Sequence, residues 1–152
     1  MIGNNALEIA KYLKDRKGAL VMVGREANQL SVNGKSFLDY ADSLAQKLDA
    51  RIAATANTAR ELKKSSQADV FSVFAAEVMN GFKYEETMGK KLPTCIVLLG
   101  YNPRVGRSLI STVEGIDTLF LGSAYVEEAT LSLPDASLSE WGQSLTQILE
   151  EL

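Results

Sequence analysis

Two short apolar runs stand out in the chain: GALVMVG, from Gly18 to Gly24, and TCIVLLG, from Thr94 to Gly100. Neither alternates apolar with polar positions. An unbroken run of Val, Ile and Leu of this length predicts a strand buried on both faces, the pattern of a parallel sheet covered by helices. Each run ends in glycine where the strand would hand over to a loop. In open α/β sheets, ligands bind outside the carboxyl ends of the strands, near the point where strand order reverses.

Helical spacing fills the intervals. Ala6 to Arg16 carries Ile9, Ala10 and Leu13 on one face, with Gly18 placed to cap its C-terminus. From Lys35 onward Phe37, Leu38, Ala41, Leu44, Ala45 and Leu48 form the strongest amphipathic stripe, with Asn33 as the predicted N-cap. Arg51 to Ala54 reads as a short strand, and the polar tetrad Thr55-Ala56-Asn57-Thr58 after it suits a helix start. Val70 to Met79 reads as a helix broken at Asn80-Gly81, and Phe82 to Lys91 as an irregular or hairpin-like connection.

After the strand Cys95 to Leu99, Asn102 suits an N-cap and Pro103 the first helical position, with the helix running to about Val113. Thr118 to Leu121 is a further strand ending at Gly122. Ser137 and Glu140 are spaced as a capping box ahead of a stripe of Trp141, Leu145, Ile148, Leu149 and Leu152. Helices alternating with strands predict an α/β domain: a parallel sheet of about four to six strands with helices on both faces.

The 152 residues make about one domain. A net charge of −3 argues against a dedicated nucleic-acid binder. No apolar stretch approaches the ~20 residues that span a bilayer. The opening MIGNNALEIAKYL is amphipathic and carries acid, unlike a signal peptide, so a cytoplasmic location is expected. Histidine is absent, which removes the usual general base, the Ser-His-Asp and Cys-His arrangements and most zinc sites. The one cysteine, Cys95, lies inside an apolar strand and is expected to be a small buried hydrophobe.

The predicted carboxyl edge of the sheet gathers the candidate cofactor-binding residues: Gly24 and Arg25 after the first strand, Thr55 and Asn57 after the second, and Gly100, Tyr101, Asn102 and Arg104 after the third. The first loop lacks GxGxxG, and no GxxxxGK[ST] phosphate loop occurs. The helix start beside Arg104 and Arg107 would suit a phosphate or other anion. Taken singly, Thr55, Asn57 and Thr58 read as caps and turns before they read as ligands, and both arginines as ordinary helix surface. Glu127-Glu128 and Asp135 read as surface or cap residues, and Lys63-Lys64 and Lys90-Lys91 as solvated surface. No carboxylate pair is spaced for acid/base work.

Most of the chain resembles the epsilon subunit of the archaeal acetyl-CoA decarbonylase/synthase complex. GALVMVGREA is similar to that family's first strand and turn, and RIAATANTA to its second. CIVLLGYN and SLISTVEGIDTLFL are similar to its third strand, helix and fourth strand. The tail SAYVEEATLSLPDASLSEWGQSLTQILEEL is the most telling part, through Tyr125, Ala129-Thr130, Ser132, Pro134-Asp135 and the helix from Ser137. The chain departs from the family in its short N-terminal arm. It also carries GFKYEETMGKKLPT where the family has a Trp/Gly-rich segment ending in Asn-Tyr-Asp.

The resemblance implies a Rossmann-like fold, related to the flavin- and nucleotide-binding middle domains of thiamine-diphosphate enzymes. It implies a partner, the large nickel–iron–sulfur carbon monoxide dehydrogenase (alpha) subunit, with two of each per assembly; a homodimer of the isolated chain stays open. The implied role is either to stabilise that assembly without catalysis or to help electrons reach a flavin. In the second case the edge at Gly24, Thr55, Asn57, Gly100, Tyr101 and Asn102 would bind FAD or another nucleotide. With no histidine and one cysteine, a nickel–iron–sulfur centre is expected to belong to the partner.

Overall fold

The computed structural model describes residues 5–28, 31–32, 34–66, 68–72, 79 and 92–152. Among these, the strands in chain order are β1 (Ala19–Val23), β2 (Ser31–Val32), β3 (Lys35–Ser36), β4 (Arg51–Ala54), β5 (Val70–Ser72), β6 (Cys95–Leu99), β7 (Asp117–Phe120) and β8 (Leu131–Ser132). The helices are α1 (Ala6–Lys14), α2 (Phe37–Leu48), α3 (Ala56–Ser65), α4 (Pro103–Ser111) and α5 (Leu138–Glu151), with a 3-10 turn at Arg25–Asn28.

Six strands pair in parallel, in the order β5-β4-β1-β6-β7-β8. Numbered among themselves they run 3-2-1-4-5-6, the order of Rossmann sheets, and the reversal falls between β1 and β6. These strands form the centres of the two apolar runs, and every residue of Ala19–Val23 and Cys95–Leu99 is buried. Ala19, Val21 and Val23 of β1 point into the core shared with α1, α2, α3 and α5. Leu20 and Met22 point the other way, toward Leu109 and Ile110 of α4. Both faces of the sheet are therefore covered, and the Rossmann-like α/β architecture is as expected.

Several local expectations are corrected. Val70 to Ser72 is an edge strand, not the start of a helix, and of the expected continuation only Met79 is described. The connection expected from Phe82 to Lys91 lies outside the described residues, as do Lys90-Lys91. The N-cap of α2 is Ser36, whose hydroxyl accepts the Leu38 N–H at 3.3 Å; the expected cap, Asn33, lies outside the described residues. β2 and β3 pair antiparallel, Ser31 with Ser36 and Val32 with Lys35, and Gly34 before β3 has φ +76°. Gly18 (φ +83°) does not cap α1, which ends three residues earlier at Asp15; it turns the chain into β1. The strand expected at Thr118–Leu121 is shifted by one residue, α4 stops at Ser111, and β8 was not anticipated.

Tyr40, on α2, is stacked on Phe37 with ring centroids 5.9 Å apart. Its hydroxyl is buried without a hydrogen-bond partner among the described residues, and burial pushes its pKa well up. A buried hydroxyl left unpaired costs about 1–3 kcal/mol. Tyr40→Phe should therefore leave the urea midpoint unchanged or raise it. A drop equivalent to more than about 1 kcal/mol would mean the hydroxyl is paired in solution.

The capping box of α5 forms as expected. Ser137 Oγ accepts the Glu140 N–H at 3.2 Å, and the Glu140 carboxylate accepts the Ser137 N–H at 3.1 Å. Those bonds to Ser137, the backbone N–H first, hold the Glu140 carboxyl below its ordinary range. A depressed folded-state pKa gives stability that is present above the ordinary glutamate range and lost as pH falls through the folded value. The thermal midpoint of Glu140→Ala should therefore lie below wild type at neutral pH and converge on it in acid. An equal gap at both would refute the assignment.

Candidate functional site at the carboxyl edge of the sheet

Val23 pairs with both Ala54 and Leu99, so Gly24, Thr55 and Gly100 leave the sheet side by side. At the reversal point Gly24 and Gly100 are packed on each other. The Gly24 N–H donates to the Leu99 carbonyl at 2.7 Å, and the Glu26 N–H to the Gly100 carbonyl at 3.2 Å. A Cβ on Gly24 would stand 2.5 Å from the Gly100 oxygen and 2.8 Å from the Tyr101 ring. Gly100, at φ +76°, would place a Cβ 2.9 Å from the Gly24 oxygen and 3.0 Å from Ala27. The first loop closes further through Ala27 N–H to Gly24 O at 3.1 Å, which winds it into the 3-10 turn.

The pyrophosphate of a dinucleotide needs a close glycine-lined approach and free backbone donors at the first turn. Here the Gly24 and Glu26 donors are spent between the loops, and the glycines touch. Among the described residues, the turn between β1 and β6 therefore offers neither a glycine-lined gap nor those two donors.

The open space lies one strand over. A cleft of about 270 Å³ runs between the loops after β6 and β7, with Gly100, Tyr101 and Asn102 on one side and Gly122 to Ala124 on the other. Phe120 and Trp141 contribute to its apolar lining, and the exposed Leu138 stands at its rim. Trp141 Nε1 donates to the Leu121 carbonyl at 3.2 Å, and its ring sits 5.3 Å from Phe37, so the indole is fixed on both sides. Burial raises the Tyr101 pKa, so its phenol stays neutral. Its volume of about 270 Å³ lies just under the ~300–1,000 Å³ typical of small-molecule pockets.

The structure brings together Gly24, Gly100, Tyr101 and Asn102. The remaining candidates stand apart. Arg25 and Arg104 are exposed, and neither lines the cleft. Asn102 caps α4 as expected, accepting the Val105 N–H at 2.9 Å, with Pro103 at the first helical position. Arg107, offered with Arg104 as an anion reader, pairs with Glu128 at 3.3 Å. Thr55 is the N-cap of α3 but makes no side-chain capping bond; Asn57 is exposed and Thr58 buried. Lys63 and Lys64 are exposed, with Lys64 on Glu61 at 3.0 Å. Cys95 is fully buried, and that burial raises its thiol pKa.

Not singled out in the sequence as site residues are the cleft's second wall, Phe120, Gly122 to Ala124, Leu138 and Trp141, and Gly106, which packs against Phe120. The Phe120 ring is clasped between Gly106 on α4 and Gly122 after β7; a Cβ on either glycine would fall 2.5 Å from it. A glycine inside an otherwise sound helix was the available signal. The tail residues that carry the family resemblance hold the loop after β7. Thr118 and Thr130 exchange backbone-to-hydroxyl bonds at 2.9 and 3.3 Å, Ser132 Oγ accepts the Val126 N–H at 3.0 Å, and Asp135 accepts the Tyr125 N–H at 2.7 Å.

No protein-family model matches the chain, and no curated protein matches it. Among solved structures it is similar to a mycobacterial quinone oxidoreductase at 16% identity and TM-score 0.48, covering 96% of this chain and 47% of that one. It is similar to a mycobacterial protein complexed with NADPH at 17% identity and TM-score 0.47, over 96% of this chain and 49% of that one. A probable oxidoreductase from Mycobacterium abscessus aligns at 18% identity and TM-score 0.43, over 98% and 49%. The chain thus spans about half the length of each.

Proposed function

We propose that the chain is a non-catalytic accessory subunit that binds and stabilises the nickel–iron–sulfur carbon monoxide dehydrogenase subunit of an acetyl-CoA decarbonylase/synthase complex. The observation that carries this reading is the closed reversal point. Gly24 and Gly100 abut, and the Gly24 and Glu26 N–H groups are bonded to the Leu99 and Gly100 carbonyls, so the space and donors that a dinucleotide enzyme keeps free at this turn are taken. The family resemblance supports it, and the residues that carry it, Thr130, Ser132 and Asp135, bond the segment after β7 to itself and to the sheet edge. A chain with no histidine and one cysteine lacks the ligands of a nickel–iron–sulfur centre, so this reading assigns the redox centre to the partner. The test is co-expression with a tagged large subunit: the chain should be retained in equimolar amount through a salt wash. Its loss in the flow-through would sink the proposal.

A second reading, a flavin- or nucleotide-binding electron-transfer module, is favoured by the cleft beside Tyr101. One ring of a nucleotide would lie there between Tyr101 and the Gly122–Ala124 loop. The rest would cross the exposed rim near Arg104. Saturable quenching of FAD fluorescence, abolished by Gly122→Trp, would favour this module. A flat titration at high excess of FAD would eliminate it.

A further inference from the structure

The opposite edge of the sheet holds a second concavity. It measures about 310 Å³ and lies where α1 and α2 end and the chain turns into β1 and β4. Lys14, Arg16, Lys17 and Lys47 line it, with Asp49 as the one acidic side chain and Leu152 also on the wall. Four basic side chains against one acidic side chain is a reversal of sign for a chain whose net charge is −3. Lysines in the last turn of a helix are expected, since they offset the negative end of its dipole. That accounts for Lys14 on α1 and Lys47 on α2. It does not account for Arg16 and Lys17, which lie beyond α1 in the turn to β1.

Arg16 is also held in place. Its guanidinium lies 4.4 Å from the centre of the Tyr12 ring and 3.8 Å from Asp117, to which the Tyr12 hydroxyl donates. Lys14, Lys17 and Lys47 have no ion-pair partner among the described residues. Asp49, at φ +52°, has its own N–H committed to the Ala45 and Gln46 carbonyls, so the turn that presents Lys47 is fixed. Leu13 and Leu48 supply apolar wall. A planar anchored fork with mobile ammonium groups around it, in a concavity this small, fits a compact polyanion better than an extended acidic chain.

We propose that this cleft binds a small phosphorylated anion through a diphosphate-sized group held by Arg16, Lys14, Lys17 and Lys47. The proposal is independent of the accessory role and of the cleft beside Tyr101. The probe is inorganic pyrophosphate, titrated into the labelled full chain at low salt and followed by backbone amide shifts. Saturable shifts confined to residues 14–18 and 47–49 are expected, weakening as salt is added. In Lys14→Gln/Lys47→Gln the dissociation constant should rise at least about tenfold, since hydrogen bonds to charged groups are lost. If the lysines serve only the helix ends, the double variant will lower the melting temperature while wild type shows no localised shifts. That result, or shifts the double variant leaves unchanged, overturns the proposal. Equal shifts with chloride at matched ionic strength also overturn it, because they mark general screening.

Discussion

Gly24→Ala is expected to cost about 3 kcal/mol or more, since overpacking a rigid contact costs about 1–3 kcal/mol and here the obstacle is backbone on a neighbouring strand exit. The new Cβ would lie 2.5 Å from the Gly100 oxygen and 2.9 Å from its carbonyl carbon. Neither atom is the far end of a flexible side chain, so relief requires β1 and β6 to separate where Gly24 N–H bonds Leu99 O. Gly100→Ala should cost a similar amount by a different sum: about 1–2 kcal/mol for a left-handed backbone and the rest for meeting Gly24 O at 2.9 Å and Ala27 Cβ at 3.0 Å. The two effects should fall short of additive, because once the loops have parted the second methyl meets less. Urea denaturation of both single variants and the double would show this. A wild-type midpoint for either single variant would mean the loops are not closed on each other in solution.

Trp141→Ala should also cost about 3–5 kcal/mol, the range for deleting a large buried aromatic. Trp141 is 4% exposed and joins three elements: it belongs to α5, lies against Phe37 of α2, and donates to Leu121 beyond β7. Its removal opens a cavity under the cleft and leaves the Leu121 carbonyl without its indole donor. Trp141→Phe keeps most of the apolar volume and loses the N–H, so it should recover most of the loss but remain about 1–3 kcal/mol below wild type. If Phe were as damaging as Ala, the indole hydrogen bond rather than packing would dominate, contrary to the geometry.

The sequence made the centre of the sheet legible and hid its margins, for physical reasons. A strand buried on both faces must be apolar throughout, so β1 and β6 announce themselves. An edge strand has no such obligation. In β5 only Val70 is buried, while Phe71 is half-buried and Ser72 exposed, and the apolar residues that follow in sequence continue at helical spacing. β8, at the other edge, is too short to show a period at all. The hairpin of β2 and β3 did carry a signal, the Asn33-Gly34 dipeptide, which is a strong hairpin turn. It was overshadowed by the helix stripe that begins at Phe37.

The candidate site was legible in place but not in form. Glycine-ended strands located Gly24, Gly100, Tyr101 and Asn102 at one edge. That Gly24 and Gly100 are glycines because they abut depends on strand register and loop path, which no local pattern encodes. The same holds for Gly106, whose reason is the Phe120 ring reached through the fold. Arg107 could not be separated from Arg104 until its pairing with Glu128 was visible.

The accessory role is tested most directly by native mass spectrometry of the chain mixed with the large nickel–iron–sulfur subunit. The account predicts a single assembly containing two copies of each, stable to dilution, with no added nucleotide required. A spectrum showing only the separate chain and the separate large subunit would contradict it.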